Sequence, residues 1–283
     1  MSHQKSSLRE HLSSHKIIPN KKLGQCFLVS EEALEEIVET SEIKEQDRIL
    51  EIGPGTGILT EKLLEKGGIV VACEKDKRLF EILTKKFQQE INSKKLFLVL
   101  GDFLNLKFPN FLKDFGFAEK RYKVVANLPY QITSPVFKTL LERNFLPSDI
   151  VLTIQNEVAE RICAKAGEMN SLGVLVQSMS QKCFIQAKLP PSSFSPEPRV
   201  DSAIIKVEGV KYPSEMEVAF LRKVLRIGFS SRRKKLIKNL KNVFSKEKVD
   251  SIWEKLKIEE NARAQDLPVE KWQEVVRELE KIK

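Results

Sequence analysis

Arg48-Ile-Leu-Glu-Ile-Gly-Pro-Gly-Thr-Gly-Ile-Leu-Thr60 is the stretch whose reading decides the fold. Ile49, Leu50 and Ile52 make the short apolar run expected of a buried parallel strand. Gly53, Gly55 and Gly57 break that run, and Leu59, Leu63 and Leu64 then recur at helical spacing. A strand, a glycine turn and a helix bring a nucleotide-bearing ligand against bare backbone at the carboxyl edge of a sheet. A dinucleotide loop needs G-x-G-x-x-G. Counted from Gly53 the third glycine falls at Ile58, and counted from Gly55 it falls at Thr60. The nicotinamide or flavin reading therefore fails on spacing. A glycine-rich turn without a ligand stays open at this point, because such turns are common.

With Glu51 ending the strand, the pattern E-x-G-x-G-x-G resembles the S-adenosylmethionine loop of Rossmann-like methyltransferases. The residues downstream favour a nucleoside. Ile69-Val-Val-Ala-Cys73 reads as a second strand ending in Glu74, 21 positions after Gly53. That is about where an acid that grips ribose hydroxyls belongs, since one carboxylate accepts from both. Leu96 to Leu100 reads as a third strand, with Gly101, Asp102 and Phe103 at its end. There Asp102 can accept from an adenine amine while Phe103 packs near the ring. Either acid alone would be an ordinary cap or turn residue. Two of them, each at a strand's carboxyl end after the glycine loop, point to a nucleoside site.

The chemical signature follows the fourth strand, Tyr122 to Ala126, as Asn127-Leu-Pro-Tyr130. An amine on adenine is a poor nucleophile because its lone pair is delocalised into the ring. Two acceptors, the Asn127 side-chain oxygen and a nearby backbone carbonyl, can hydrogen-bond both amine hydrogens and pyramidalise the nitrogen. Pro129 stiffens the turn, and Tyr130 can stack on a base drawn out of its helix. Placement and polar alignment then supply most of the catalysis. Without the glycine loop this would read as a plain strand-to-turn junction; with it, amino-nitrogen methylation is the stronger reading. A C5-cytosine methyltransferase would want a Pro-Cys nucleophile here, which is missing.

Composition bounds the partners. The 283 residues are 41% apolar, and Lys+Arg exceed Asp+Glu by 48 − 39 = 9. That excess favours a polyanionic partner over an acidic small molecule. No apolar run approaches the roughly 18 residues of a membrane span, and no signal-peptide pattern opens the chain. Cys26, Cys73, Cys163 and Cys183 are scattered without a C-x-x-C pair, so they read as reduced thiols of a cytoplasmic protein. His3, His11 and His15 lie in a polar leader and read as solvated surface, with no metal site expected. Lys22 to Leu28 reads as an N-terminal strap, and Ser30 as the cap of a helix opening with Glu31 and Glu32.

Asp149 to Ile154 reads as a fifth strand and Gln155 to Ala164 as a helix. Pro190 to Pro198 reads as a proline-rich loop that excludes helix, leading to a last strand over Asp201 to Val207. Two strands after the alternating units are expected to close the sheet as an antiparallel hairpin. Phe194, in the proline-rich loop, is either a second stacking aromatic or a plug beneath the loop. Beyond Gly209 the pattern is helical, with Ser214 and Glu217 spaced as a capping box. Between Arg222 and Lys248 stand eleven Lys/Arg and one acid, Glu247, a net +10 that matches the whole chain's +9. Such concentration points to a phosphate-backbone footprint.

Together these motifs resemble the small-subunit rRNA adenine N6,N6-dimethyltransferases, the kasugamycin-resistance methyltransferases. The likeness runs from about Pro19 to the end. It includes Lys21 to Leu28, the loop at 51–57, Glu74, Gly101-Asp102, Asn127 to Tyr130 and Gln155 to Arg161. It continues through Phe194-Ser-Pro-Glu-Pro-Arg-Val-Asp-Ser202, Phe229-Ser-Ser-Arg-Arg-Lys-Lys-Leu236 and Arg263 to Leu267. The resemblance implies two methylations of each of two adjacent adenosines in the 3′-terminal hairpin of small-subunit rRNA. It implies S-adenosylmethionine as the donor and a partly assembled subunit as the substrate.

Carried over by position, Gln25, Cys26 and Leu28 line the cofactor, with Glu51, Gly53 and Gly55 along its methionine part. Glu74 holds the ribose, and Asp102 with Phe103 holds the adenine. Asn127 and the backbone at Leu128 and Pro129 align the amine, and Tyr130 with Phe194 sandwiches the base. Arg222, Arg232, Arg233, Lys234 and Lys235 are expected to grip RNA. Three positions depart from the family pattern. Cys26 stands for a usual Asn, so any contact there is expected through backbone; Asn156 stands for a frequent Lys, and Leu172 for an aromatic.

The expected architecture is α/β: a Rossmann-like, mostly parallel sheet over 1–209 closed by an antiparallel hairpin. A small all-α, basic domain over 210–283 follows, and a monomer is the default. The related erythromycin-resistance methyltransferases, which act on large-subunit rRNA, are disfavoured by the segment at 194–202 and the basic helix. A ribosome-assembly factor with vestigial chemistry is disfavoured by intact Glu51, Glu74, Asp102 and Asn127.

Overall fold

The computed structural model of the chain describes Pro19 and residues 24–142, 145–213 and 216–281. His3, His11, His15, Lys21, Lys22 and Ser214 lie outside the described residues. Two compact units emerge, one of Met1–Ala159 with Phe184–Val210, the other of Glu160–Cys183 with Lys211–Lys283. Residues 160–183, which the sequence pattern leaves with the first domain, group with the C-terminal helices instead. Their apolar side chains pack on helices distant in sequence, so no local signal marks the boundary.

The first unit is built on strands β1 (Phe27–Leu28), β2 (Arg48–Ile52), β3 (Ile69–Glu74), β4 (Leu96–Leu100), β5 (Tyr122–Asn127), β6 (Asp149–Gln155), β7 (Lys182–Leu189, whose first two residues group with the second unit), β8 (Phe194–Ser195) and β9 (Ser202–Glu208). Seven of them form one sheet in the order β4-β3-β2-β5-β6-β9-β7. The pairs β2/β3, β2/β5, β3/β4 and β5/β6 are parallel, and β9 runs antiparallel to β6. The last four residues of β2 are all buried, as a strand covered on both faces requires. Strand order reverses between β2 and β5, so the carboxyl ends of β2, β3, β4 and β5 meet beside one topological switch point. Helices α1 (Glu31–Thr40), α2 (Ile58–Glu65), α3 (Lys77–Lys86), α4 (Gln88–Asn92), α5 (Asn110–Asp114) and α6 (Thr133–Glu142) complete the unit, with the start of α7 (Asn156–Ile162).

Local chemistry explains the starts of these helices. Ser30 accepts from the Ala33 N–H at 3.2 Å, and Glu31 and Glu32 occupy the first turn of α1. Asp76 caps α3 by accepting from the Arg78 N–H. Gly57 caps α2 in the left-handed region, φ 77°. A Cβ there would stand 2.5 Å from Leu83 Cδ2, so both backbone and space demand glycine.

Two features of this unit differ from the pattern expected of the sequence. Pro191–Ser193 forms one 3-10 turn, which prolines tolerate at a helix start because no intrahelical N–H is needed there. The N-terminal strap and the proline-rich segment also pair as a small antiparallel ladder, Phe27 opposite Ser195 and Leu28 opposite Phe194. That ladder continues as Val29 N–H donates to the Ser193 carbonyl at 2.8 Å.

The second unit is helical: the end of α7, then α8 (Ser171–Ser178), α9 (Val218–Gly228), α10 (Leu236–Lys241), α11 (Lys246–Lys255) and α12 (Val269–Glu280). Glu217 precedes α9 without a side-chain cap. Trp272 anchors the core, fully buried, stacked on Phe229 at 5.2 Å and donating to the Ala264 carbonyl at 3.1 Å. Asn239 ties α10 to the preceding turn through the Gly228 and Ser231 carbonyls. No helix among the described residues is long and apolar enough to cross a membrane.

Candidate functional site

The carboxyl ends of β2, β3, β4 and β5 open onto a cavity of about 190 Å³. Gln25, Cys26, Leu28, Glu51, Gly53, Gly55, Glu74, Asp102, Phe103, Asn127, Leu128, Pro129, Tyr130 and Phe194 all line it. Every cofactor and base position read from the sequence thus meets in one place.

Its acids are held in different ways. Glu51 is 1% exposed and accepts from the Thr60 hydroxyl at 2.6 Å. Burial, reinforced by the charge of Glu74 and only partly offset by Thr60, pushes its carboxyl up to about 8. Glu74, 5% exposed, accepts from the Gly55 N–H at 3.1 Å and the Asp76 N–H at 2.7 Å. Burial raises it despite these bonds. Its carboxylate is therefore fixed in orientation while lone pairs remain for hydroxyl donors. Gly55, at φ 59°, lets the loop present that N–H, and a Cβ there would crowd the Phe27 ring at 3.1 Å.

Asp102 is more open. One oxygen accepts from the Leu104 N–H at 3.0 Å, and the other pairs with the Lys75 ammonium at 2.7 Å. Burial pushes this carboxyl up, but Lys75 and the Leu104 N–H outweigh it and hold it below the usual range. Phe103 beside it is buried, edge-on to Phe108 and Phe111.

The turn after β5 is fixed from behind. The Leu128 N–H donates to the Thr153 carbonyl at 3.1 Å, and the Pro129 carbonyl accepts from the Ile132 N–H at 3.1 Å. Asn127 donates its amide N–H to the Cys26 carbonyl at 3.3 Å. The amide oxygen of Asn127 and the carbonyl of Leu128 have no hydrogen bond among the described residues, so two acceptors remain for an incoming donor. Cys26 engages Asn127 by backbone, and burial raises its thiol. The Tyr130 and Ser202 hydroxyls lie 2.7 Å apart, and burial raises the half-buried phenol.

Phe194 borders the cavity but exposes no surface, being 0% accessible and packed in the core behind β1. Of the two readings of the sequence, it is the plug beneath the loop that the structure places here. Lys75, Thr60 and Ser202 escaped the sequence reading as site residues. Lys75 had a signal, following Glu74 at a strand's carboxyl end. Ser202 reads only as the end of the 194–202 segment, and its place beside Tyr130 had no signal, because which turn a strand's first residue faces depends on sheet order.

In the second unit Arg222, Arg232, Arg233 and Lys234 are exposed. Lys235 is half-buried and paired with Glu260 at 2.9 Å, which neutralises part of the expected footprint. Among the described residues no group of three His, Cys, Asp or Glu could hold a metal ion.

The chain matches the ribosomal RNA adenine dimethylase family over residues 18–281. It is 39% identical to a ribosomal RNA small subunit methyltransferase A of Nostoc punctiforme, covering 93% of this chain and 96% of that protein. A dimethyladenosine transferase from Plasmodium falciparum superposes with a TM-score of 0.76 at 28% identity, over 90% of this chain and 98% of that one. A 23S rRNA methyltransferase, ErmE, superposes with a TM-score of 0.71 at 23% identity, over 90% and 99%. The last likeness speaks for the fold alone.

Proposed function

Because the chain belongs to the ribosomal RNA adenine dimethylase family, we propose that it dimethylates the N6 amines of two adjacent adenosines in the 3′-terminal hairpin of small-subunit rRNA. The observation that carries this reading is the acceptor pair at Asn127 and Leu128, which lines one cavity with Tyr130 and three strand-end acids. Bound in that cavity, S-adenosylmethionine supplies an electrophilic methyl group on a positively charged sulfur. The residues present suit it: glycine backbone on one wall, fixed carboxylates for hydroxyl and amine donors, and an apolar floor.

Glu74 accepts from the ribose hydroxyls with a carboxylate already oriented by two N–H groups. Asp102 would accept from the adenine amine, and Phe103 would wall the ring. Gln25, Cys26 and Leu28 wall the cofactor, and Glu51, Gly53 and Gly55 run along its methionine part. Asn127 and the Leu128 carbonyl accept the two hydrogens of the target amine, turning its lone pair out of conjugation. Pro129 keeps that turn rigid. Tyr130 stacks on the flipped base, and Phe194 forms the opposite wall once uncovered. No general base is required, because the alkylated amine is acidic enough to lose its proton to water.

The exposed cations of the second unit, Arg222, Arg232, Arg233 and Lys234 with Lys235, grip rRNA phosphates. The natural substrate is an assembling small subunit in the cytoplasm, and binding there also contributes to assembly. The test supplies labelled S-adenosylmethionine with small or large ribosomal subunits lacking these modifications, then maps the label by nuclease digestion. Label in the small-subunit 3′ hairpin is expected. Label in large-subunit rRNA alone would transfer the assignment to the erythromycin-resistance type.

A further inference from the structure

Cys163 and Cys183 are twenty positions apart, yet their sulfurs lie 3.5 Å from each other. Both are half-buried and reduced, both belong to the second unit, and neither takes part in the chemistry above. Cys163 follows α7 on a segment clamped from α8. Gln177 donates to the Ile162 and Ala164 carbonyls at 2.7 and 2.9 Å, and Asn170 donates to the Arg161 carbonyl. Cys183 is the second residue of β7. The segment of Cys163 is thus tied in place and Cys183 lies in a strand, with the two sulfurs at 3.5 Å, within reach of each other.

We propose that Cys163 and Cys183 are a redox-active dithiol, closed to an intramolecular disulfide by hydroperoxides and reopened by thiols. Attack by the Cys163 thiolate on hydrogen peroxide breaks the O–O bond, releases hydroxide and leaves a sulfenic acid, a two-electron oxidation of that sulfur. The Cys183 sulfur then attacks the Cys163 sulfur and breaks its S–O bond. The departing oxygen leaves as water with the Cys183 proton. In sum, two thiols and one peroxide become one disulfide and two waters. Either thiol can donate across this contact; the contact lowers Cys163, whereas it and burial raise Cys183, so Cys163 is assigned the attacking role. Cys73, buried in β3, and Cys26, with no second thiol beside it among the described residues, are expected to be spared.

The full-length protein is treated with hydrogen peroxide, its free thiols are alkylated, and intact and tryptic masses are read. The expected product is two hydrogens lighter and keeps two of the four thiols. Its tryptic peptides 162–165 and 183–188 are joined, and dithiothreitol separates them. In Cys183→Ser, folded by circular dichroism, the crosslink is absent and Cys163 carries sulfenic or sulfinic acid. Four surviving thiols, a disulfide that includes Cys26, or crosslinks only between chains would overturn the proposal.

Discussion

Replacing Glu51 by Gln should make the protein more stable in alkaline buffer, not less. The wild-type carboxyl is buried and pushed from its ordinary 4.5 to about 8. The folded state therefore keeps a proton that the unfolded chain gives up, and stability falls as pH rises from about 4.5 to about 8. Below the unfolded value both states are protonated and Glu51 contributes no slope. Each pH unit inside the window costs about 1.4 kcal/mol, so the full loss is about 5 kcal/mol. Glutamine keeps an oxygen to accept from Thr60 and carries no charge at any pH. Burial also raises Glu74, and its charge adds to the shift of Glu51, so the pH-dependent difference between the two proteins reports Glu51 together with that coupling. Urea unfolding of cofactor-free protein followed by circular dichroism at pH 5, 7 and 9 measures it. The two proteins should be close at pH 5, with the variant ahead by several kcal/mol at pH 9, on the order of the full loss. A gap that stays constant with pH would refute the reasoning.

Three further outcomes follow from the same geometry. Tyr130→Phe and Ser202→Ala each break the 2.7 Å hydroxyl pair; each should lower kcat/KM by about 10-fold, and the double variant no further, a non-additivity read from a mutant cycle. Gly57→Ala forces a Cβ to within 2.5 Å of Leu83 and a strained φ of 77°; it should cost about 2–4 kcal/mol in urea unfolding. Replacing Arg232, Arg233 and Lys234 together by Ala should flatten the log–log salt dependence of rRNA binding by about 2–3 while leaving cofactor affinity unchanged.

The site was legible in sequence because parallel strands place their carboxyl ends on one edge. Once the runs before Gly53, Glu74, Asp102 and Asn127 read as strands, those residues had to converge. Partnerships across the sheet were not legible. Ser202 meets Tyr130 because β9 inserts between β6 and β7, a matter of sheet order. The ladder of Leu28 with Phe194 is too short to leave a periodic trace, and it buries the aromatic that the sequence leaves as either a stacking surface or a plug. Residues 160–183 join the helical unit through packing on α9 and α12, which no composition shift announces. Cys163 and Cys183 likewise meet only through folding.

The proposed activity rests on Asn127 and Leu128 aligning an amine for methyl transfer. The most direct test counts methyl groups transferred to unmodified small subunits by wild type and by Asn127→Ala, at saturating S-adenosylmethionine. Wild type should place two on each of two adjacent 3′-hairpin adenosines, and the variant should be slower by roughly 100-fold or more. Equal rates would contradict the account, because the acceptor pair would then have no part in the chemistry.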